Sequence, residues 1–243
     1  MSSSVETLLT DLKQLGVKPG DVLFIHSSFK SIGPVTGGAD AVFSALEQAV
    51  GPQGTLLLPS FNLIQDKALR VQSWNVQTSP STVGYLTEHF RLMPGTYRSD
   101  HYSHAVAARG HDAKWFVEGH IEQEGLVSPW DLLPWGRTFG THSPMARAMQ
   151  RQGKQLMLGV DYFSSTYIHI VECLLLAHRR QSDPEARYIW LDRIRLGEYW
   201  ENIGQISHGK VGQADCRLFD IRAFVDGLLE AVIADPLHWK RNY

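Results

Sequence analysis

The hydrophobic pattern alternates between helical spacing and short unbroken apolar runs. Val5, Leu8, Leu9, Leu12 and Leu15 recur at helical spacing behind Ser4, which can cap the first turn, and Gly16 offers a left-handed exit. After the turn Lys18-Pro19-Gly20-Asp21, the run Val22-Leu23-Phe24-Ile25 suits a strand buried on both faces. A glycine-containing loop leads to a helix over 39–50, with the stripe Ala39, Val42, Phe43, Leu46 and Val50. A second turn, Gly51 to Gly54, precedes the buried run Thr55-Leu56-Leu57-Leu58. Further along, the pattern predicts a helix over 82–92 capped by Ser79 or Ser81, and a strand over 105–108. It then predicts a helix over 144–152 behind Ser143, a strand over 155–160 and a long helix over 165–179. Residues 188–218 read as strands and turns, and 219–233 as a closing helix.

This order of strand, loop, helix, turn and strand predicts an α/β fold whose parallel or mixed sheet is layered with helices. No repeat or linker interrupts it, so the 243 residues are expected to form a single domain. With 43% apolar residues, the chain can bury a core without disulfides. There are 23 basic and 25 acidic side chains, for a net charge of −2, which argues against a nucleic-acid binder. No apolar run is long enough to span a membrane, and the polar start of the chain does not read as a secretion signal. Two cysteines, Cys173 and Cys216, make no disulfide framework, so the cytoplasm is the expected compartment.

Three segments carry chemistry. His26-Ser27-Ser28 stands at the end of the first predicted strand, where open α/β sheets bind ligands. With Lys30, Ser31 and the glycines before the next helix, it could cradle phosphate, although it matches neither a Walker loop nor a dinucleotide fingerprint. His101 and His104 precede a buried strand, and an imidazole can act as a base near neutral pH. His169 and Glu172 are three apart on a helix that is apolar nearly all round. A carboxylate there needs a partner, which could be an imidazole, an arginine or a backbone cap. Cys173 reads as packing before it reads as a nucleophile. The stretch Ser128-Pro129-Trp130-Asp131-Leu132-Leu133-Pro134-Trp135-Gly136 could line a cleft or plug a core edge.

Taken in order, these pieces resemble the aminoglycoside 3-N-acetyltransferase family. The resemblance runs through GDVLFIHSSFKSIGPVTGGADAVFSALEQAVGPQGTLLLPSF, TSPSTVGYLTEHFRLMPGTYRSDHYSHAVAARG, HSPMARAMQRQGKQLMLGV and STYIHIVE, and more weakly GKVGQADCRLF. It implies a three-layer α/β/α unit that moves an acetyl group from acetyl-CoA to an amine of an amino sugar. It places the family's reactive histidine on His101 and its glutamate on Glu172, and it likens His26, Ser27, Ser28, Lys30 and Ser31 to the coenzyme A-binding loop. The chain departs from the family pattern at Tyr102 (a proline), Ala105 (a serine), Ser165 (an asparagine) and Trp74-Asn75 (an aromatic–Asp pair).

The reaction needs a neutral amine, so the expectation is that His101 takes a proton from it while Glu172 holds the imidazole. Donors from the Ser27-Ser28 region would face the thioester oxygen. No metal is required; the partner is a small-molecule amine, and a homodimer is left open. Two other readings stand beside this one. The histidines and Glu172 could serve a metal-dependent hydrolase, or the chain could be a non-catalytic coenzyme A-binding relative.

Overall fold

The computed structural model describes residues 2–64 and 66–241. Its strands are β1 (Val22–Ser27), β2 (Thr55–Pro59), β3 (Tyr97–Arg98), β4 (Val106–Gly110), β5 (Gly125–Leu126), β6 (Phe139–Gly140), β7 (Lys154–Leu158), β8 (Ser207–Val211) and β9 (Ala214–Asp220). The helices are α1 (Val5–Leu15), α2 (Phe29–Ile32), α3 (Gly38–Val50), α4 (Lys67–Ser73), α5 (Tyr85–Leu92), α6 (Ala113–Val117), α7 (Pro144–Gln150), α8 (Tyr167–Arg179), α9 (Arg193–Ile203) and α10 (Ile221–Ala234). The central sheet is mixed, in the order β3-β4-β2-β1-β7-β9-β8, with β5 and β6 paired separately.

The unbroken apolar runs are explained by two cores, one on each face of that sheet. Leu23, Ile25, Leu56, Leu58, Leu156 and Leu158 point to one side, packing with Leu8, Leu12, Val42, Phe43 and Phe90 of α1, α3 and α5. Phe24, Leu57 and Met157 point to the other, packing with Tyr167, Ile168, Val171 and Phe224 of α8 and α10. Successive strand residues face opposite ways. A strand covered on both sides therefore has no polar alternation to show. β1 runs parallel to β2 and β7, so their C-terminal ends lie along one edge. That edge gathers His26, Ser27, Pro59 and Val160. No helix among the described residues is long and apolar enough to cross a membrane.

Three elements differ from the pattern's expectation. Helix α5 begins at Tyr85 behind Gly84, because the Thr82 N–H is used by Phe61 O at 2.8 Å. Within 188–218 the chain forms α9, whose cap Asp192 accepts from Ile194 N and Arg195 N. Its buried stripe is only Leu196, Gly197 and Trp200 among charged neighbours, too sparse to mark a helix. Phe219 belongs to β9, and the closing helix starts at Ile221 behind its cap Asp220.

Candidate active site

Helix α8 carries the decisive pair. It follows β7 through a short turn in which Asp161 accepts from Phe163 N at 3.0 Å. Tyr167, Ile168, Ile170, Val171, Cys173, Leu175 and Leu176 are all buried, so the helix is sunk between sheet and α10. Glu172 goes down with it, and its side chain is 1% exposed. Burial of that carboxylate is tolerable because three donors reach it. His169 Nδ1 lies 2.6 Å from Oε2, the Tyr188 hydroxyl donates to the same oxygen at 2.5 Å, and Leu191 N donates to Oε1 at 2.8 Å. Burial first, and then the Glu172 charge, push the Tyr188 phenol far up, so it stays a donor. Since Nδ1–H is used by Glu172, the other ring nitrogen, Nε2, is the one left to accept a proton.

His169 faces a cleft of about 380 Å³, bordered by His26, Ser27, Phe61, His104, Trp130 and Thr166. Trp130 packs edge-on to the His169 ring at 4.8 Å. At the cleft floor, His26 Nε2 lies 2.9 Å from Thr166 Oγ1, tying the end of β1 to the start of α8. Burial lowers the His26 pKa to about 3, so it is neutral there. Ser27 is one of the residues that border the cleft, and its Oγ is buried with no hydrogen-bond partner.

The structure does not bring His101 and Glu172 together, and this corrects the pairing expected above. His101 is 0% exposed and does not border the cleft. Its Nδ1 accepts from His104 N at 3.1 Å and Ser103 N at 3.3 Å, while its ring stacks between Tyr102 and His120. His104 stands between, 6.2 Å from the His101 ring and 6.3 Å from that of His169. Glu172 instead takes the imidazole one helical turn away, the nearest one that local geometry offers. Burial holds His101, His104 and His120 in the neutral state, with His120 lowered to about 4.

The segment around His101 acts as a clasp. Arg98 Nη2 donates to Ser60 O at 2.6 Å and Nη1 to Val76 O at 3.1 Å, joining two connections across the edge of the sheet. Asp100 Oδ1 accepts both the Trp74 and Trp135 indole N–H groups, at 2.7 and 3.0 Å. The departures from the family pattern fit this scaffold. The Tyr102 hydroxyl donates to Trp130 O at 2.8 Å, and Ala105 is fully buried. Asn75 Oδ1 accepts from Gln77 N and Thr78 N, so its side chain closes a turn.

Of the loop expected to hold coenzyme A, His26 and Ser27 border the cleft. Ser31 Oγ lies 2.9 Å from Ser28 Oγ and 3.0 Å from Gly159 O, closing the loop onto the end of β7. Lys30 is exposed on α2. Gly159 has a φ of +68°, and a Cβ there would run into Ser31, so the loop seats directly on bare backbone. Cys173 and Cys216 are buried free thiols, and burial raises both pKa values, so neither is a ready nucleophile. Tyr188, Leu191 and Thr166 had no sequence signal, whereas the His169–Glu172 spacing was visible from the start.

A family model described as aminoglycoside 3-N-acetyltransferase matches residues 24–232. Aminoglycoside N(3)-acetyltransferase IV from a Salmonella species is 31% identical, over 95% of this chain and 87% of its own length. The crystal structure of the aminoglycoside acetyltransferase AAC(3)-IVa apoenzyme is similar with a TM-score of 0.80 at 27% identity, covering 100% of this chain and 93% of that one. A histidine-to-alanine variant of AAC(3)-IVa in complex with a gentamicin is similar with a TM-score of 0.79 at 26% identity, with the same coverage.

Proposed function

The chain belongs to the aminoglycoside 3-N-acetyltransferase family, and from that premise we propose that it transfers the acetyl group of acetyl-CoA to an amine of an aminoglycoside or related amino sugar, with His169 as general base. The observation that carries this reading is the His169 Nδ1–Glu172 Oε2 contact of 2.6 Å, on a ring that borders the cleft. Glu172 fixes the tautomer and stabilises the imidazolium that forms. Nε2 then takes the proton that the amine must lose.

The amine nitrogen attacks the thioester carbonyl carbon. A carbon–nitrogen bond forms and the carbon–sulfur bond breaks. The proton held on His169 passes to the departing sulfur, leaving an N-acetylated product and a thiol. Negative charge builds on the carbonyl oxygen during attack, and the unpartnered Ser27 hydroxyl is the donor assigned to it. The closed Ser28–Ser31 loop seats the coenzyme, with Lys30 at its outer side. Holding both substrates against His169 supplies much of the acceleration.

The two other readings are weaker. Glu172 is buried, bonded by His169, Tyr188 and Leu191 N, and does not border the cleft, so it is not placed as a metal ligand for a metal-dependent hydrolase. Of the substitutions that favoured a non-catalytic relative, Tyr102 bonds Trp130 O through its hydroxyl and Ala105 is fully buried, and both leave the His169–Glu172 pair intact. A thiol-release assay with acetyl-CoA against a panel of aminoglycosides and amino sugars tests the proposal. Turnover that disappears in His169→Ala supports it; near-normal turnover in that variant removes His169 from the role.

A further inference from the structure

His104 brings a second imidazole to the cleft. It is only 4% exposed, yet it borders the same space as His169. Its ring packs against Phe61, Trp130 and Phe139, with centroids at 4.8, 4.6 and 5.5 Å. Trp130 packs against both imidazoles, which stand nearly perpendicular with their centroids 6.3 Å apart. Among the described residues His104 Nε2 has no hydrogen-bond partner, and unlike His101 Nε2 it is not sealed from solvent.

The neighbours of this ring place its proton. His101 Nδ1 accepts from the backbone N–H groups of Ser103 and His104, so it carries no hydrogen of its own. The Ser103 hydroxyl, 3.4 Å from that nitrogen, can only donate to it. With its one hydrogen directed there, Ser103 Oγ accepts from His104 Nδ1 at 2.8 Å. A hydrogen on Nδ1 leaves His104 Nε2 as a bare lone pair. Burial first, and then His169, His120 and Arg70, disfavour a second proton and keep the ring neutral. Glu172 sets the same tautomer on His169 by a separate contact.

We infer that His104 Nε2 is an acceptor for the substrate amine, working beside His169 and selecting primary amines. A neutral primary amine has two N–H groups and one lone pair. One N–H faces His169 Nε2 and is the one surrendered; the other rests on His104 Nε2. The lone pair is then left for the thioester carbon. Rings 6.3 Å apart allow one nitrogen atom to lie at hydrogen-bonding distance, about 3 Å, from both Nε2 atoms. A secondary amine has a single N–H, so it loses one of the two contacts whenever its lone pair faces the thioester. This deepens the acetyltransfer reading and rests on it.

Nitrogen-15 spectra of the full chain report each ring's tautomer directly. The expected result is Nδ1–H with a bare Nε2 on His104, and glucosamine shifting the Nε2 resonances of both His104 and His169. An Nε2–H tautomer, or a His104 resonance that ignores glucosamine, would overturn the inference. Thiol release from acetyl-CoA is then compared for glucosamine and its N-methyl derivative. The wild type should favour glucosamine in kcat by roughly tenfold or more, the effect of one lost hydrogen bond. His104→Phe keeps an aromatic ring and removes the acceptor. It should bring the two acceptors to within about twofold of each other while the KM for acetyl-CoA holds. A merely structural role would slow both acceptors alike and keep their ratio, which counts against the inference. If His104→Phe does not fold, Ser103→Ala takes its place: without an acceptor for Nδ1–H the tautomer shifts toward Nε2–H, and the ratio should fall with it. If glucosamine shifts both rings but is not acetylated, the acetyltransfer reading fails and the amine site stands.

Discussion

The Tyr188 hydroxyl donates to Glu172 Oε2 at 2.5 Å, on the oxygen that also holds His169. The two side chains come from α8 and from the connection that follows it, so the phenol locks the carboxylate from outside its own helix. Tyr188→Phe keeps the ring and deletes the donor. A hydrogen bond to a charged group contributes about 1.5–3 kcal/mol. Turnover is therefore expected to fall roughly tenfold or more, at that cost to precise positioning, with the KM for acetyl-CoA little changed. Steady-state kinetics with the coenzyme and acceptor varied separately would check this split.

Three variants separate the two imidazoles. His169→Ala and Glu172→Gln are expected to lower kcat by roughly 10²–10⁴, the range of a positioned base. His101→Phe removes the acceptor of two buried N–H groups, those of Ser103 and His104. It should cost about 1–3 kcal/mol of stability, seen as a lower melting temperature, while the folded fraction keeps its turnover. A folded but inactive His101→Phe protein would restore His101 to the chemistry.

Ser27→Ala makes an unusual prediction because the hydroxyl is buried without a partner. Removing an unsatisfied polar group does not destabilise the fold. Loss of one oxyanion donor nevertheless lowers kcat by about 10²–10³. Thermal denaturation and thiol release should therefore move independently. A parallel loss of both would show that Ser27 is structural.

Gly159→Ala places a Cβ against Ser31 at a φ of +68°. The added atom strains the backbone and pushes the Ser28–Ser31 loop off the end of β7. The expected outcome is a several-fold rise in the KM for acetyl-CoA, with less effect on that of the acceptor. Unchanged coenzyme kinetics would separate this loop from coenzyme binding.

The four buried histidines set the acid limit of the fold. His26 and His120 are lowered to about 3 and 4 from 6.5, and His101 and His104 are also well below it, all mainly by burial. Below pH 6.5 the unfolded chain binds protons that the folded chain refuses, so stability is intact above that value and falls as the pH drops toward 4. Each histidine contributes a slope of about 1.4 kcal/mol per pH unit in that window. Urea denaturation at pH 7, 6 and 5 should show the loss, and His120→Gln should flatten it.

Much of the fold was legible along the chain. The runs at 22–25 and 55–58 became β1 and β2, and the helix behind Ser4 kept its cap and its Gly16 exit. Helix α9 escaped because its buried face is three residues wide, and propensity cannot see what Trp200 packs against. At the site, the spacing of His169 and Glu172 carried the pair proposed for the chemistry, whereas the segment around His101 folds as a clasp. The distinction lies in Arg98, Asp100 and Tyr102, whose partners are distant carbonyls and indoles that no local pattern reveals.

What the order of residues determined by itself is local: buried strands without alternation, and an imidazole one helical turn from a carboxylate. Both follow from backbone geometry that needs no distant partner. Tertiary structure decided the rest. Tyr188 and Leu191 reach Glu172 from 16 and 19 positions further on, and Thr166 meets His26 across 140. The packing of α8 between the sheet and α10 buries Glu172, the donors that reach it from elsewhere make that burial tolerable, and only the cleft's position decides which imidazoles border it.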